Sequence, residues 1–384
     1  MGKAVTPSTL GVSGWRLHGQ RTGVGRYILN LIRHWTPEIV ADRFGGITIY
    51  TPEALPDDAA GFPAGVREKV IGPPMSMLAW ENLRLGPSAR ETVMLYPSYS
   101  RPVLSRATPV VVTHDATMRL HPELYSRKDK LIYDPFYGWS ARSSAFVITT
   151  TEAARLDIAR EWNVDPEKIR VTHLASAECF RPLPQSLDRD EMRMRLTGST
   201  TPFFLFVGKL SGRRNLPRLL EGFAEFRARS PHPHRLVIVG PQYAITAVEK
   251  MADDLNVRSS LVTRNFIADE ELNELYNCAD AFVMPSTYET VSFPIMEAQA
   301  AGTPVICIDT PGSREITGGE ALLIPRLDVK ELFDAMVRIV SDRQLHAGLA
   351  ERGLRNSNNF SWERCAVKTL DVCAEAARLS LRAS

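Results

Sequence analysis

The sequence predicts an α/β protein of two Rossmann-like, doubly wound domains facing across a cleft. Three observations predict it. The chain has 384 residues, more than one ordinary compact core holds. Short β-branched or apolar runs alternate with amphipathic helical patterns, as parallel strands joined by right-handed helical crossovers do. The alternation comes in two series, separated by a polar, proline-flanked stretch from about residue 182 to 201 that reads as surface helix and linker.

The first series opens with a strand over Thr9–Gly14, a glycine-containing loop and the helical run RYILNLIRHW. PVVVT (Pro109–Thr113) and AFVITT (Ala145–Thr150) are strands. The helix TEAARLDIAREW follows, Asp165-Pro166 turns the chain, and KIRVTHLA resumes as a strand. The second series runs FFLFVG, a helix from Asn215, RLVIVG, a helix, LVTRNFI, the helix DEELNELYNCA, AFVMPS, a helix from about Phe293, and PVICID. From Val329 the pattern is helical and ends in an amphipathic helix. The expected domains are therefore 1–185 and 200–360, with the last helix, about 361–384, returning to the first.

Composition narrows the function classes. Lys plus Arg number 46 against 44 Asp plus Glu, so nothing calls for nucleic acid. No apolar run reaches the roughly 18 residues of a spanning helix, and the start does not read as a signal peptide. The five cysteines, an odd number without a CxxC pair, argue against both a disulfide framework and a zinc site. These features fit a reducing cytoplasm.

Chemistry concentrates in Ser286–Ile306, STYETVSFPIMEAQAAGTPVI. Glu289 falls in the loop after AFVMPS. Ser292 is a candidate N-cap, Pro294 suits a first helical turn, and Gly302 ends the helix. One strand–loop–helix unit thus offers a loop carboxylate, backbone amides able to bind phosphate and a helix carboxylate, Glu297. In open parallel sheets ligands sit at this carboxyl end of the strands. Gly208–Asn215, GKLSGRRN, follows FFLFV and supplies cations for a diphosphate. Thr22–Leu31, TGVGRYILNL, places two glycines at a helix start; as a dinucleotide fingerprint it lacks the third glycine, since Ile28 stands there. His114-Asp115 directly follows PVVVT. Asp188-Arg189-Asp190 has the spacing of a metal-binding DxD, but no strand precedes it, and it reads as solvated surface.

The Glu289–Ile306 segment resembles the E-x7-E donor segment of glycosyltransferase family 4, usually near EGFGLPxLEAMAxGxPVI. Glu289, Pro294, Glu297, Ala298, Ala300, Gly302, Pro304, Val305 and Ile306 match, whereas Thr290 and Ser292 replace usual glycines. GKLSGRRN is similar to the family's GRLxPRKN, TGVGRYILNL to its TGIGRYxxNL, and His114-Asp115 to its HD pair. MSMLAWENLRL resembles an amphipathic stretch of the mannosyltransferase-like branch, with its Met, Leu and Trp positions expected in the core.

This resemblance implies the two-domain GT-B fold and a retaining hexosyltransferase that needs no cofactor and no metal. It assigns Glu289 and His114 to the reacting sugar and Glu297 to the ribose. Gly23, Gly25, Lys209 and Arg214 go to the diphosphate, with Arg213 a weaker candidate. Backbone of Val291, Ser292 and Phe293 is assigned to sugar and phosphate, and backbone of Ile267 to the base. The donor is expected to be GDP-mannose, with UDP-glucose the alternative, and the acceptor a saccharide or lipid-linked saccharide in surface polysaccharide synthesis. Peripheral contact with the inner face of a membrane follows from a lipid-linked acceptor, with Arg26, Arg33 and Arg127–Lys130 the candidate basic residues. Two other readings stay open: a catalytically silent nucleotide-sugar-binding protein, motivated by Thr290 and Ser292, and a nicotinamide-dependent oxidoreductase, resting only on the TGVGR loop.

Overall fold

The computed structural model describes residues 8–19, 23–57, 59–184, 186–209 and 212–383, with side chains described through residue 380. The chain divides into two compact units, one of residues 1–174 and 361–384, the other of residues 175–360.

The first unit is built on seven strands: β1 (Leu10–Ser13), β2 (Ile47–Thr51), β3 (Val66–Val70), β4 (Val93–Tyr96), β5 (Thr108–Val112), β6 (Phe146–Thr149) and β7 (Ile169–Val171). Their order is β3-β2-β1-β4-β5-β6-β7, and every neighbouring pair is parallel. β1, β4 and β6 are buried throughout, as strands covered by helices on both faces must be. Strand order reverses between β1 and β4, so the loops after them diverge and leave a crevice at the carboxyl edge of the sheet. The final helix, Trp362–Ala383, packs on helix Gly23–Arg33 and on β4, β5 and β6. It buries Cys365, Ala366, Leu370, Cys373 and Ala376. Ion pairs Arg43–Asp371 (2.7 Å) and Arg170–Glu375 (3.0 Å) flank that apolar face.

The second unit has six strands: β8 (Phe203–Val207), β9 (Arg235–Val239), β10 (Leu261–Arg264), β11 (Ala281–Met284), β12 (Val305–Ile308) and β13 (Leu322–Ile324). They run β10-β9-β8-β11-β12-β13, again all parallel, and the order reverses between β8 and β11. Phe203–Phe206, Phe223, Phe226 and Phe282 fill the core. Helix Leu216–Arg229 lies close on helix Val329–Ser341: a Cβ on Gly222 would come within 2.8 Å of Leu332 Cβ.

The chain leaves the first unit at residue 174, earlier than the expected 185. Phe180 already enters the second unit's core, the amides of Arg181 and Leu183 bond the side chains of Asn273 and Asn277, and the stretch from about 182 to 201 belongs to the second unit too and is no free linker. Its helix Arg189–Thr197 puts Leu196 in that unit's core. Arg193 donates to the Cys278 carbonyl (3.0 Å) and to Asp280 (3.2 Å). The Asp188 carboxylate accepts from the amides of Asp190 and Glu191, so this aspartate is a helix cap. Strands β2, β3, β4 and β13 lie outside the sequence expectation. Among the described residues no helix is long and apolar enough to cross a membrane.

Leu370 is fully buried on the returning helix. Leu370→Ala is expected to cost about 2–5 kcal/mol, read as a lowered urea midpoint for the first unit. An unchanged midpoint would mean that this helix does not belong to the unit's cooperative core.

Candidate active site

In the second unit the loops after the neighbouring strands β8 and β11 meet. Arg213 and Arg214 lie on a short 3-10 turn, Gly212–Arg214, after β8. Glu289 lies after β11 and is only 4% exposed. Arg213 Nη1 donates to Glu289 Oε2 at 3.0 Å and to the Tyr288 carbonyl at 3.0 Å. Arg214 Nε stands 3.8 Å from Glu289 Oε1. Asn215, in the left-handed region at φ 48°, donates from Nδ2 to the carbonyls of Arg213 and Pro285, tying the two loops together.

Two glycines permit this closeness. A Cβ on Gly208 would come within 2.4 Å of Arg214 Nη1, and one on Gly312 within 1.9 Å of the Glu289 carbonyl oxygen. The Arg214 guanidinium donates to the Val207 carbonyl at 3.2 Å. Burial lowers its pKa, Glu289 opposes that shift and Arg213 adds to it.

Three buried polar atoms around this loop, Glu289 Oε1, Ser286 Oγ and Ser292 Oγ, have no hydrogen-bond partner among the described residues. Buried polar atoms are rarely left unpaired, so three on one loop at the carboxyl edge of a parallel sheet mark a place for a polar ligand.

Helix Phe293–Ala300 begins as its sequence predicts, with Ser292 in the N-cap position and proline in the first turn. The Ser292 hydroxyl makes no capping bond. Glu297 is buried and accepts from the Tyr276 hydroxyl at 3.1 Å, and Gly302 takes φ +76° just past the helix. Val291 and Ile267 are half-buried against the core, Phe293 is half-buried, and Lys209 is exposed just beyond β8. Lys209, Arg213, Arg214, Ile267 and Glu289 thus all follow carboxyl ends of strands in one sheet. Of these, the structure joins Glu289 to both arginines, and Arg213, the weaker candidate of the pair, makes the shorter contact.

In the first unit Gly23 opens helix Gly23–Arg33 at an exposed position and Gly25 is buried in its first turn; Thr22 lies outside the described residues. His114 is nearly buried, edge-on to Tyr27 (5.3 Å) and Tyr99 (5.6 Å). Its Nε2 lies 3.1 Å from the Pro97 carbonyl. A carbonyl only accepts, so Nε2 carries the hydrogen. Burial lowers the His114 pKa, partly offset by the Pro97 bond, and the neutral ring then keeps its lone pair on Nδ1. Asp115 Oδ1 accepts from the Thr117 amide at 3.0 Å.

Sequence reasoning missed one buried acid of this unit, Glu81, 1% exposed. The available signal was its place four residues after Met77 and four before Leu85, on the apolar face of MSMLAWENLRL. Met77, Trp80 and Leu85 are in the core as expected, whereas Leu83 turns outward and is 66% exposed. A cavity of about 550 Å³ lies among Thr9, Gly46, Thr48, Gly65, Arg67 and Arg90, at the amino ends of β1–β3, and no candidate site residue lines it.

Residues 188–355 match the family model described as glycosyl transferases group 1, which places that match within the second unit. Over 265 residues, 68% of this chain and 69% of the relative, the sequence is 25% identical to the O-antigen chain mannosyltransferase B of Escherichia coli. It is also 25% identical over 264 residues, 67% of each chain, to the alpha-D-kanosaminyltransferase of Streptomyces kanamyceticus. Among solved structures it resembles WaaG, a glycosyltransferase involved in lipopolysaccharide biosynthesis (TM-score 0.72, 16% identity, covering 95% of this chain and 99% of that one). It resembles equally HepE from Anabaena in complex with UDP and glucose (TM-score 0.72, 17% identity, 95% and 97%). The fold is that of the GT-B glycosyltransferases, and the relatives support a glycosyltransferase.

Gly312→Ala tests the architecture of this site. The added methyl must push against backbone, so overpacking of about 1–3 kcal/mol is expected, together with displacement of Glu289. Thermal unfolding and a crystal structure of the variant check it; an unmoved Glu289 would refute the packing account.

Proposed function

We propose that the protein is a retaining hexosyltransferase that takes mannose from GDP-mannose, without a metal, to a saccharide or lipid-linked saccharide acceptor. The observation that carries the reading is Glu289: a buried carboxyl held by Arg213 and Arg214, with one oxygen unbonded beside the unbonded hydroxyls of Ser286 and Ser292. Departure of a nucleoside diphosphate builds negative charge, which Arg214, Lys209 and the first turn of helix Phe293–Ala300 are suited to stabilise. Glu289 then holds the sugar's hydroxyls and favours the oxocarbenium-like carbon. Glu297 takes the ribose, Ile267 the base, and Gly23 and Gly25 the diphosphate. His114, neutral and bonded through Nε2, meets a sugar hydroxyl. With no second carboxylate assigned as nucleophile, the acceptor attacks on the face the diphosphate leaves, and the leaving phosphate takes its proton.

Mannose is favoured by the likeness to the O-antigen chain mannosyltransferase. UDP-glucose is the second reading, favoured by the likeness in fold to HepE, a structure of which was solved with UDP-glucose. The test is turnover of each donor with and without chelator, with the anomeric configuration of the product read by NMR. Glu289→Ala is expected to lower turnover by about 10²–10³ while nucleotide binding persists. Full activity in that variant, or an inverted product, would refute the mechanism. Binding of nucleotide without turnover in the unmodified protein would support the silent-binder reading instead.

Peripheral membrane contact is part of the same proposal. Helix Arg127–Ser143 exposes Leu131 (78%) and Ile132 (48%) next to Arg127, Lys128 and Lys130, an apolar tip within a basic setting that suits an anionic bilayer surface. Cosedimentation with anionic vesicles is expected, and Leu131→Asp should abolish it. Equal sedimentation of the two proteins would refute this surface.

A further inference from the structure

Glu81 of the first unit takes no part in the chemistry above, yet it is the most deeply buried acid at that unit's carboxyl edge. It opens a π-helical turn, Glu81–Leu85, that continues helix Met77–Trp80; such turns concentrate at functional sites. Among the described residues its carboxyl is hydrogen-bonded by two hydroxyls. Ser13 Oγ, at the end of β1, donates to Oε1 at 3.0 Å. Ser100 Oγ, in the loop after β4, donates to Oε2 at 2.7 Å. The other groups acting on it or acted on by it are Arg16 on the turn after β1, Tyr96 on β4 and Tyr137 on helix Arg127–Ser143. Burial pushes its pKa up to about 7, with Ser100, Ser13 and Arg16 opposing.

The loop that Ser100 belongs to is strained and shapes the surroundings of His114. Tyr99 takes φ +63°, a left-handed conformation that a bulky residue keeps only when its surroundings over-determine it. The surroundings do so. The Tyr99 amide donates to the Val112 carbonyl (2.9 Å), Arg16 Nε donates to Ser98 Oγ (3.3 Å), and Glu81 holds Ser100. The same loop supplies the Pro97 carbonyl to His114 Nε2. It also presents the Tyr99 ring edge-on to His114 and stacked at 5.1 Å on Tyr137.

We propose that Glu81 is a positioning residue for His114: through Ser100 it holds the 97–100 loop so that the Pro97 carbonyl fixes the hydrogen on His114 Nε2. The inference rests on the reading that His114 meets the donor sugar. It also couples the site to pH. Ser100 has one hydroxyl hydrogen. Toward ionised Glu81 that hydrogen points at Oε2. When a solvent proton is added to Oε2, the acid donates to Ser100 Oγ, and the Ser100 hydrogen turns to the Ser98 carbonyl, 3.4 Å away. Titration of Glu81 therefore reverses its bond with Ser100 and passes the Ser100 hydrogen to the Ser98 carbonyl, within the loop that holds His114. Gln at position 81 imitates the protonated acid, accepting from Ser13 and donating to Ser100.

The test is the imidazole ¹⁵N spectrum of the full chain between pH 5.5 and 8.5, with His114 assigned by its loss in His114→Asn. The unmodified protein is expected to show the Nε2–H tautomer, with shifts that move through a midpoint near 7, above His114's own lowered titration. Glu81→Gln should keep the tautomer and lose that midpoint. Glu81→Ala should give a mixture of tautomers; if it does not fold, as thermal unfolding will report, the Gln variant alone decides. A midpoint that persists in Glu81→Gln, or a pure Nε2–H tautomer in folded Glu81→Ala, would overturn the proposal. The turnover profile should lose its inflection near pH 7 in Glu81→Gln, with donor KM unchanged. Should the unmodified protein turn over no nucleotide sugar, the reading of His114 fails, while the ¹⁵N spectrum still decides what Glu81 holds.

Discussion

The contact between the Glu289 carboxyl and two guanidiniums is the constraint on which the second unit's site depends. Burying an ionised carboxyl or a guanidinium costs several kcal/mol unless opposite charge and hydrogen bonds replace water. Here both signs are buried at once: Glu289 is 4% exposed and the Arg214 side chain 11%. The residues are far apart in sequence and meet because β8 and β11 are neighbours in the sheet, about 4.8 Å apart. The strand order therefore makes the ion pair possible, and the absence of a Cβ at Gly208 and Gly312 lets it close. Three charges of which two are positive leave the loop net cationic, which is the polarity an anionic leaving group requires.

How much of this was legible in the sequence follows the range of each interaction. Central strands such as FFLFV and PVVVT are buried on both faces, so apolar composition alone reveals them. β3, with the sequence VREKV, is exposed along most of its length, and no apolar run marks it. The start of helix Phe293–Ala300 was legible because serine, proline and glycine signals are local. The idle Ser292 hydroxyl was not: an N-cap oxygen bonds the second or third helical amide, and proline at the second position removes only one of the two. Which of two adjacent arginines points at Glu289 depends on a three-residue turn, and neither composition nor spacing encodes that.

The long helical segment near residue 190 teaches the same lesson about domain limits. Its average polarity reads as a linker and hides a single position, Leu196, and one cation, Arg193. Those two residues anchor it: one enters the core, the other satisfies the carbonyl at the end of helix Asp269–Cys278. Polar segments with one well-placed apolar residue belong to a unit whenever their charged side chains also find fixed partners, since each such bond offsets the entropy of ordering the segment.

The two units solve the burial of an acid at a switch point in opposite ways, and the difference determines where pH acts. In the second unit guanidiniums, charged at any physiological pH, stand against Glu289. In the first unit Glu81 has, among the described residues, the hydroxyls of Ser13 and Ser100 as bonded partners, and hydroxyls can donate to a carboxylate or accept from a carboxylic acid. Such a pair of partners satisfies either protonation state, so burial is free to raise the pKa toward neutrality without leaving an orphaned group. A folded-state pKa above the unfolded value also means that the stability this burial contributes is present at low pH and is lost as pH rises through about 7. Sensitivity to pH near neutrality therefore belongs to the hydroxyl-lined edge of the first unit, and charge complementarity to the arginine-lined edge of the second.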